Sequence, residues 1–205
     1  MIEFDHIAIA GETLAAAQAH VEQALGVALQ PGGEHEVFHT HNALLGLEDG
    51  LYLEAIAINP AAPTPNRPRW FDLDRFSGAP RLTNWICRTE NMEAALAELP
   101  KGSGAPVQLQ RGDLRWRMAV PASGILPFDN CVPAVIQWQT NTHPAAVLAP
   151  SGVRLRRLTV RHPDVQMLQH GLRGLLHDDR IAFEAGHAAL HATFATPHGP
   201  RAIGA

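Results

Sequence analysis

The sequence predicts an α+β fold made of paired β-α-β-β-β modules followed by a C-terminal partial β-α-β-β unit. Three observations point there. Residues 2–58 read as strand, helix and then further strands, and the same order returns over 82–139. Several strands follow each helix without another helical stripe, whereas a doubly wound parallel sheet would alternate single strands with helices.

The elements follow from local patterns. Residues 2–10 alternate around Ile7 and Ile9, as a strand does, and Leu14, Ala17, Val21 and Leu25 then recur at helical spacing as far as Gly26. An additional strand falls near 27–38, after which apolar runs at 40–47 and 51–58 flank Glu48-Asp49-Gly50. Asp-Gly between such runs predicts a hairpin with a two-residue turn, because Gly accepts the positive φ that a type I′ turn demands. Pro60, Pro63, Pro65, Pro68 and Pro80 forbid regular structure from 59 to 80. Trp70, Phe71 and Phe76 make that segment a strap packed on the body rather than a loose tether.

Leu82–Arg88 then reads as a strand, and Met92, Ala95, Leu96 and Leu99 form a helical stripe ended by Pro100. Aligning Leu14 with Met92 sets His6 opposite Asn84. Strands follow at 106–111, 114–120 and 134–139. The last unit has a strand at 153–160, a helix opened by Pro163, and strands near 180–185 and 188–195. The expected division is therefore 1–58, first module; 59–80, linker strap; 81–145, second module; 146–205, C-terminal extension.

Composition narrows the function. A chain of 205 residues can bury a sizeable core, and 46% apolar with 18% charged residues is ordinary for a globular protein. A net charge of -4 gives no basic footprint for nucleic acid. The first residues lack the basic flank and apolar stretch of a signal peptide, and no long apolar run predicts a membrane span, so a cytoplasmic location is expected. Cys87 and Cys131 read as free thiols in a reducing compartment. No glycine-rich phosphate loop or nucleophile elbow is present.

Two side chains stand out. His6 on an alternating strand reads either as a hydrogen-bonded structural histidine or as a ligand. Glu54 lies inside Tyr52-Leu53-Glu54-Ala55-Ile56, where a lone carboxylate is costly unless it meets a metal, a cation or an exposed face. His35, His39 and His41 do not have the spacing of a structural zinc site, and Arg115 and Arg117 read as a solvated face.

Taken in order, Phe4-Asp5-His6-Ile7-Ala8-Ile9, Gly32-Gly33 with His35, Thr40-His41-Asn42-Ala43-Leu44-Leu45 and Tyr52-Leu53-Glu54-Ala55-Ile56-Ala57 resemble the glyoxalase-like branch of the vicinal oxygen chelate superfamily. Asn84-Trp85-Ile86-Cys87-Arg88-Thr89, Ile136-Gln137-Trp138 and His143-Pro144 are similar to that branch's second half. The resemblance implies modules that curl one mixed sheet around a cavity, with the first strand beside the fourth so that His6 meets Glu54. It also implies a divalent metal (Mn, Fe, Zn, Ni or Co) held by His6, Glu54 and Gln137. Glu54 would be the catalytic group, with His41, Asn84 and Trp138 at the substrate.

The expected ligand is a small oxygenated molecule, turned over by a lyase, isomerase or dioxygenase type of reaction, and the expected assembly is a homodimer. Asn84 and Gln137 depart from the family's better-defined enzymes. A ring-opening dioxygenase lacks its second histidine here, and a glyoxalase I lacks the carboxylate that Gln137 replaces. Metal-free binding or drug sequestration is therefore the alternative, and a cavity plugged by Trp138 is a third. With a two-residue turn, Leu45 faces Glu54 and His41 lies opposite Ile58, about 14 Å along the strand and at the cavity mouth.

Overall fold

The protein is described from a computed structural model, over residues 1–204. The first module comprises β1 (Glu3–Ala10), α1 (Leu14–Leu25), β2 (Gln30–His35), β3 (Thr40–Gly46) and β4 (Tyr52–Ile58). The second comprises β5 (Arg81–Arg88), α2 (Met92–Glu98), β6 (Ala105–Arg111), β7 (Leu114–Val120) and β8 (Ala134–Trp138). A short α3 (Pro144–Val147) leads to β9 (Arg154–His162), α4 (Val165–Leu172), β10 (Ile181–Ala185), β11 (Ala189–Thr196) and β12 (Gly199–Ile203).

Thr13 opens α1 by accepting a hydrogen bond from the Ala16 amide, and Gly26 closes it at φ 72°. Its Ala17, Val21 and Leu25 are buried at the spacing the sequence shows.

Both modules join in one mixed eight-stranded sheet of order β2-β3-β4-β1-β5-β8-β7-β6. Each module closes with a parallel pair, β1 with β4 and β5 with β8, and the antiparallel pair β1–β5 joins them. The sheet curls until its two ends, β2 and β6, approach one another. One face, with Ile7, Ile9, Leu53, Trp85 and Cys87, buries against α1, α2 and the C-terminal unit. The other encloses Ala8, Ile56, Ile86, Trp116, Met118 and Ile136, and strap residues Trp70, Phe71 and Leu73 join that inner cluster.

The C-terminal unit differs from the expected shortened copy. It has a fourth strand, β12, and its order is β10-β9-β11-β12, with β9 parallel to the second strand of the unit rather than to the last. Its helix starts at Val165, not Pro163. A strand-helix-strand crossover reads like the start of the other modules in sequence, although its pairing is different.

The hairpin between β3 and β4 also departs from expectation. Leu47 donates its amide to Leu51 O, leaving Glu48, Asp49 and Gly50 in a three-residue loop, with Asp49 and Gly50 at φ 65° and 71°. The register therefore pairs Leu44 with Glu54 and His41 with Ala57. A one-residue slip exchanges the faces of a strand, so Asn42 takes the inner face and His41 the outer.

Among the described residues no helix is long and apolar enough to cross a membrane. Both cysteines are free and buried, and burial pushes the thiol of each up from its ordinary range.

Candidate functional site

Inside the curled sheet lies a cavity of about 30 Å³, room for about two waters, lined by His6, His35, Asn42, Tyr52, Glu54 and Arg111 among others. Its polar side is built on two irregularities. Phe4 pairs with Cys87 and His6 with Ile86, so Asp5 is an extra residue in β1. Such a bulge re-aims side chains, and it brings Asp5 and His6 together, Nδ1 to Oδ1 at 2.6 Å. A second bulge, between Pro31 and Glu34 of β2, contains Gly32 and Gly33. A Cβ on Gly32 would stand 1.9 Å from Asn42 Oδ1, so the missing side chain is what admits Asn42.

The hydrogen bonds fix which groups donate. Asp5 is fully buried and accepts from His6 Nδ1, from His143 Nε2 at 2.9 Å and from Trp138 Nε1 at 3.1 Å. Burial alone would raise its pKa; the hydrogen bonds from His143 and His6 outweigh that and hold the carboxyl well below the usual range. With Nδ1 directed to an ionised Asp5, His6 turns Nε2 to the cavity, 3.8 Å from Glu54 Oε2. The Tyr52 ring stacks on His6 at 4.2 Å, and its hydroxyl, kept protonated first by burial and then by Asp5 and Glu54, lies 3.4 Å from the same Nε2.

Asn42 is oriented by two donors to its Oδ1, the Gly33 amide at 2.9 Å and Arg111 Nη1 at 3.0 Å. Its Nδ2 must then donate, to Glu54 Oε1 at 2.5 Å and toward His35 Nε2 at 3.3 Å. His35 therefore accepts at Nε2 and donates from Nδ1 to Thr40 Oγ1 at 2.9 Å. Desolvation, reinforced by Arg111, lowers its pKa to about 3, so it is neutral at neutral pH. Its Nε2 stands 3.8 Å from Glu54 Oε1. The Nε2 atoms of two imidazoles thus face the two oxygens of one buried carboxylate.

The donor types suit a divalent cation. Ligands about 2.1 Å from one ion would lie roughly 3.0–3.4 Å apart, closer than the 3.8 Å seen here. Among the described residues no three histidine, cysteine or acidic side chains stand close enough to hold an ion.

The expected residues divide clearly. His6, Glu54 and Trp138 line the cavity. Gln137 does not join them: it hydrogen-bonds Arg117 and donates to Glu90 O at 2.7 Å, away from the His6–Glu54 pair. Arg117 is held there by Glu93 as well. His41 points to the opposite face from Glu54, as the slipped register requires. Asn84 pairs with Ala8 and is fully buried beside the inner cluster, but it does not line the cavity, and neither atom of its amide has a hydrogen-bond partner. Sequence reasoning missed Asp5, His35, Asn42 and Arg111. The signal available was Gly32-Gly33, a glycine pair inside a strand, which marks a close approach by another group.

A family model described as "Glyoxalase-like domain" matches residues 4–176. A solved hypothetical protein from Staphylococcus aureus is similar over 92% of this chain and 87% of its own, with 14% identity and a TM-score of 0.61, a likeness of fold. Methylmalonyl-CoA epimerases are weaker neighbours. The one from Mycobacterium tuberculosis shares 19% identity at a TM-score of 0.39, covering 66% of this chain and 85% of its own. The one from Streptomyces coelicolor shares 17% at 0.44, covering 68% and 97%. No curated protein matches the sequence.

Proposed function

The chain belongs to the glyoxalase-like domain family, and on that premise, with its resemblance to the vicinal oxygen chelate superfamily, we propose that it binds a small oxygenated molecule in the curled-sheet cavity, where His6, His35 and Glu54 would hold a divalent metal (Mn, Fe, Zn, Ni or Co) by closing in from their 3.8 Å separations. The reaction class is that of a lyase, isomerase or dioxygenase. One observation carries the reading: the Nε2 atoms of two histidines, each with Nδ1 engaged by another residue, converge on a single buried carboxylate. Histidine ligands are commonly oriented in this way by a partner on the other ring nitrogen.

A bound ion would polarise neighbouring oxygens of the ligand and stabilise an enolate-type anion. The chain's own residues supply the setting. Asp5 holds the His6 ring and Thr40 the His35 ring, while Asn42 turns Glu54 toward both. His35, neutral down to about pH 3, suits ligation better than proton transfer, so Glu54 is the group left to move a proton. Trp116 and Trp138, 5.6 Å apart, wall the site from water.

Elemental analysis and calorimetric titration with the five ions test this. Wild-type protein should bind one ion, Glu54→Gln and His35→Ala should each bind it at least about tenfold more weakly, and Asp5→Asn should lose about 10–100-fold. A protein that takes up none of them overturns the reading. Metal-free binding of a small molecule is favoured instead by the 3.8 Å separations, and it predicts thermal stabilisation by organic ligands but not by metal ions.

A further inference from the structure

Arg111 ends β6 in the second module, yet its guanidinium reaches the first-module side of the cavity. Its stem lies over Gly33, where a Cβ would stand 2.6 Å from Arg111 Cδ. Its one hydrogen bond to a side chain goes to a neutral amide, Asn42 Oδ1 at 3.0 Å. Among the described residues no carboxylate lies within ion-pair distance of it. Arginines 69, 75, 88, 117, 154, 161 and 180 each have an acidic partner, and of the arginines without one Arg111 is the one that lines the cavity.

A second observation points the same way. Trp70, brought in by the strap, lines the same cavity at 4% exposure, and its indole Nε1 is buried without a hydrogen-bond partner. Buried donors are ordinarily satisfied, so this N–H is open to an acceptor.

Beyond the cavity, at the seam where β2 and β6 approach, lies a groove of about 130 Å³ that shares His35 and Trp116 with it. Val37 and Leu109 give the groove an apolar wall, and Glu36 lies along it. The inner space holds about two waters, the size of a carboxylate head, so the rest of any ligand must extend into the seam. Glu36 makes a second negative charge unwelcome there.

We propose that Arg111 and the Trp70 indole N–H form an anion-binding pair for the head of a monocarboxylate ligand, whose apolar tail lies in the β2–β6 groove. The inference rests on the cavity being the ligand site and goes beyond that reading by assigning the substrate class and the path of access. A guanidinium and an indole N–H complement the two oxygens of a carboxylate, and a charge-assisted hydrogen bond in a dry site discriminates strongly against a neutral analogue.

The test uses the full chain, as purified and after chelation, titrated with butanoate, hexanoate and octanoate and with hexanamide. Tryptophan fluorescence and thermal shift are the readouts. Hexanoate should bind at least tenfold more tightly than hexanamide, and affinity should rise from butanoate to octanoate. Arg111→Gln should remove the preference for acid over amide, Arg111→Lys should keep part of it, and Trp70→Phe should weaken acid binding several-fold. Equal affinity for acid and amide, or an acid preference that survives Arg111→Gln, overturns the proposal. Acid binding that disappears on chelation while ignoring Arg111→Gln overturns it too, yet leaves the metal reading standing. Arg111-dependent acid binding by a protein that takes up no ion supports it while the metal reading fails.

Discussion

At the scale of single residues, His35 is the sharpest reporter of the site. Its folded pKa of about 3 lies below the ordinary histidine value of 6.5, so the unfolded chain binds more protons between the two. Stability from this group is complete above pH 6.5 and falls by about 1.4 kcal/mol per pH unit as pH drops toward 3. Urea unfolding across that window should show the slope, and His35→Gln should flatten it. Asp5 adds a loss of the same sign once pH falls below the ordinary carboxylate range, because its folded pKa is depressed. Asn84 gives the opposite kind of prediction. Its buried, unpartnered amide should cost stability, so Asn84→Leu should raise the unfolding free energy by about 1–3 kcal/mol, and a drop instead would show that the amide has a partner. His6 and Glu54 were legible in the sequence because each is a polar residue in a strongly apolar strand. Asp5 was not, since strict alternation assigns neighbours to opposite faces and only the bulge at Asp5 places it beside His6.

At the scale of elements, loops decide which side chains reach the cavity. The Glu48–Gly50 loop has one residue more than an Asp-Gly turn requires, and that residue exchanged His41 for Asn42 at the site. Such a count is beyond sequence reasoning when both turns can use the same glycine. The strap is fixed by Arg69, whose Nε donates to Phe38 O at 3.1 Å and whose Nη1 meets Asp74 Oδ1 at 2.6 Å. Gly124 lies against it, at φ 76° and with a Cβ position 1.9 Å from Arg69 O. Gly124→Ala should therefore lower stability by at least about 2 kcal/mol and speed proteolysis within 60–80. Gly50→Ala, with φ 71° but nothing within 4 Å, should cost only about 1 kcal/mol. If the two variants unfold alike, the close approach of the strap is not what Gly124 serves.

At the scale of the molecule, tandem modules were legible because the period of the apolar pattern repeats, whereas the pairing of the C-terminal unit was not, because periodicity reports strands and helices but not their neighbours. The outer core is shared by both modules and the C-terminal sheet, with Leu158, Leu190 and Phe194 in the same cluster as Ile7 and Trp85. Denaturant unfolding should accordingly be one transition, coincident by near- and far-ultraviolet dichroism. Separate transitions would show that the C-terminal unit is an independent fold.

The curled sheet also divides its labour unevenly. His6, His35, Asn42 and Glu54 all come from the first module, while Arg111, Trp116, Met118, Ile136 and Trp138 come from the second. The imidazole and carboxylate groups therefore sit on one module, and the aromatic wall with its guanidinium on the other. Transplanting 105–138 between relatives should thus shift ligand preference while His6, His35, Asn42 and Glu54 stay in place.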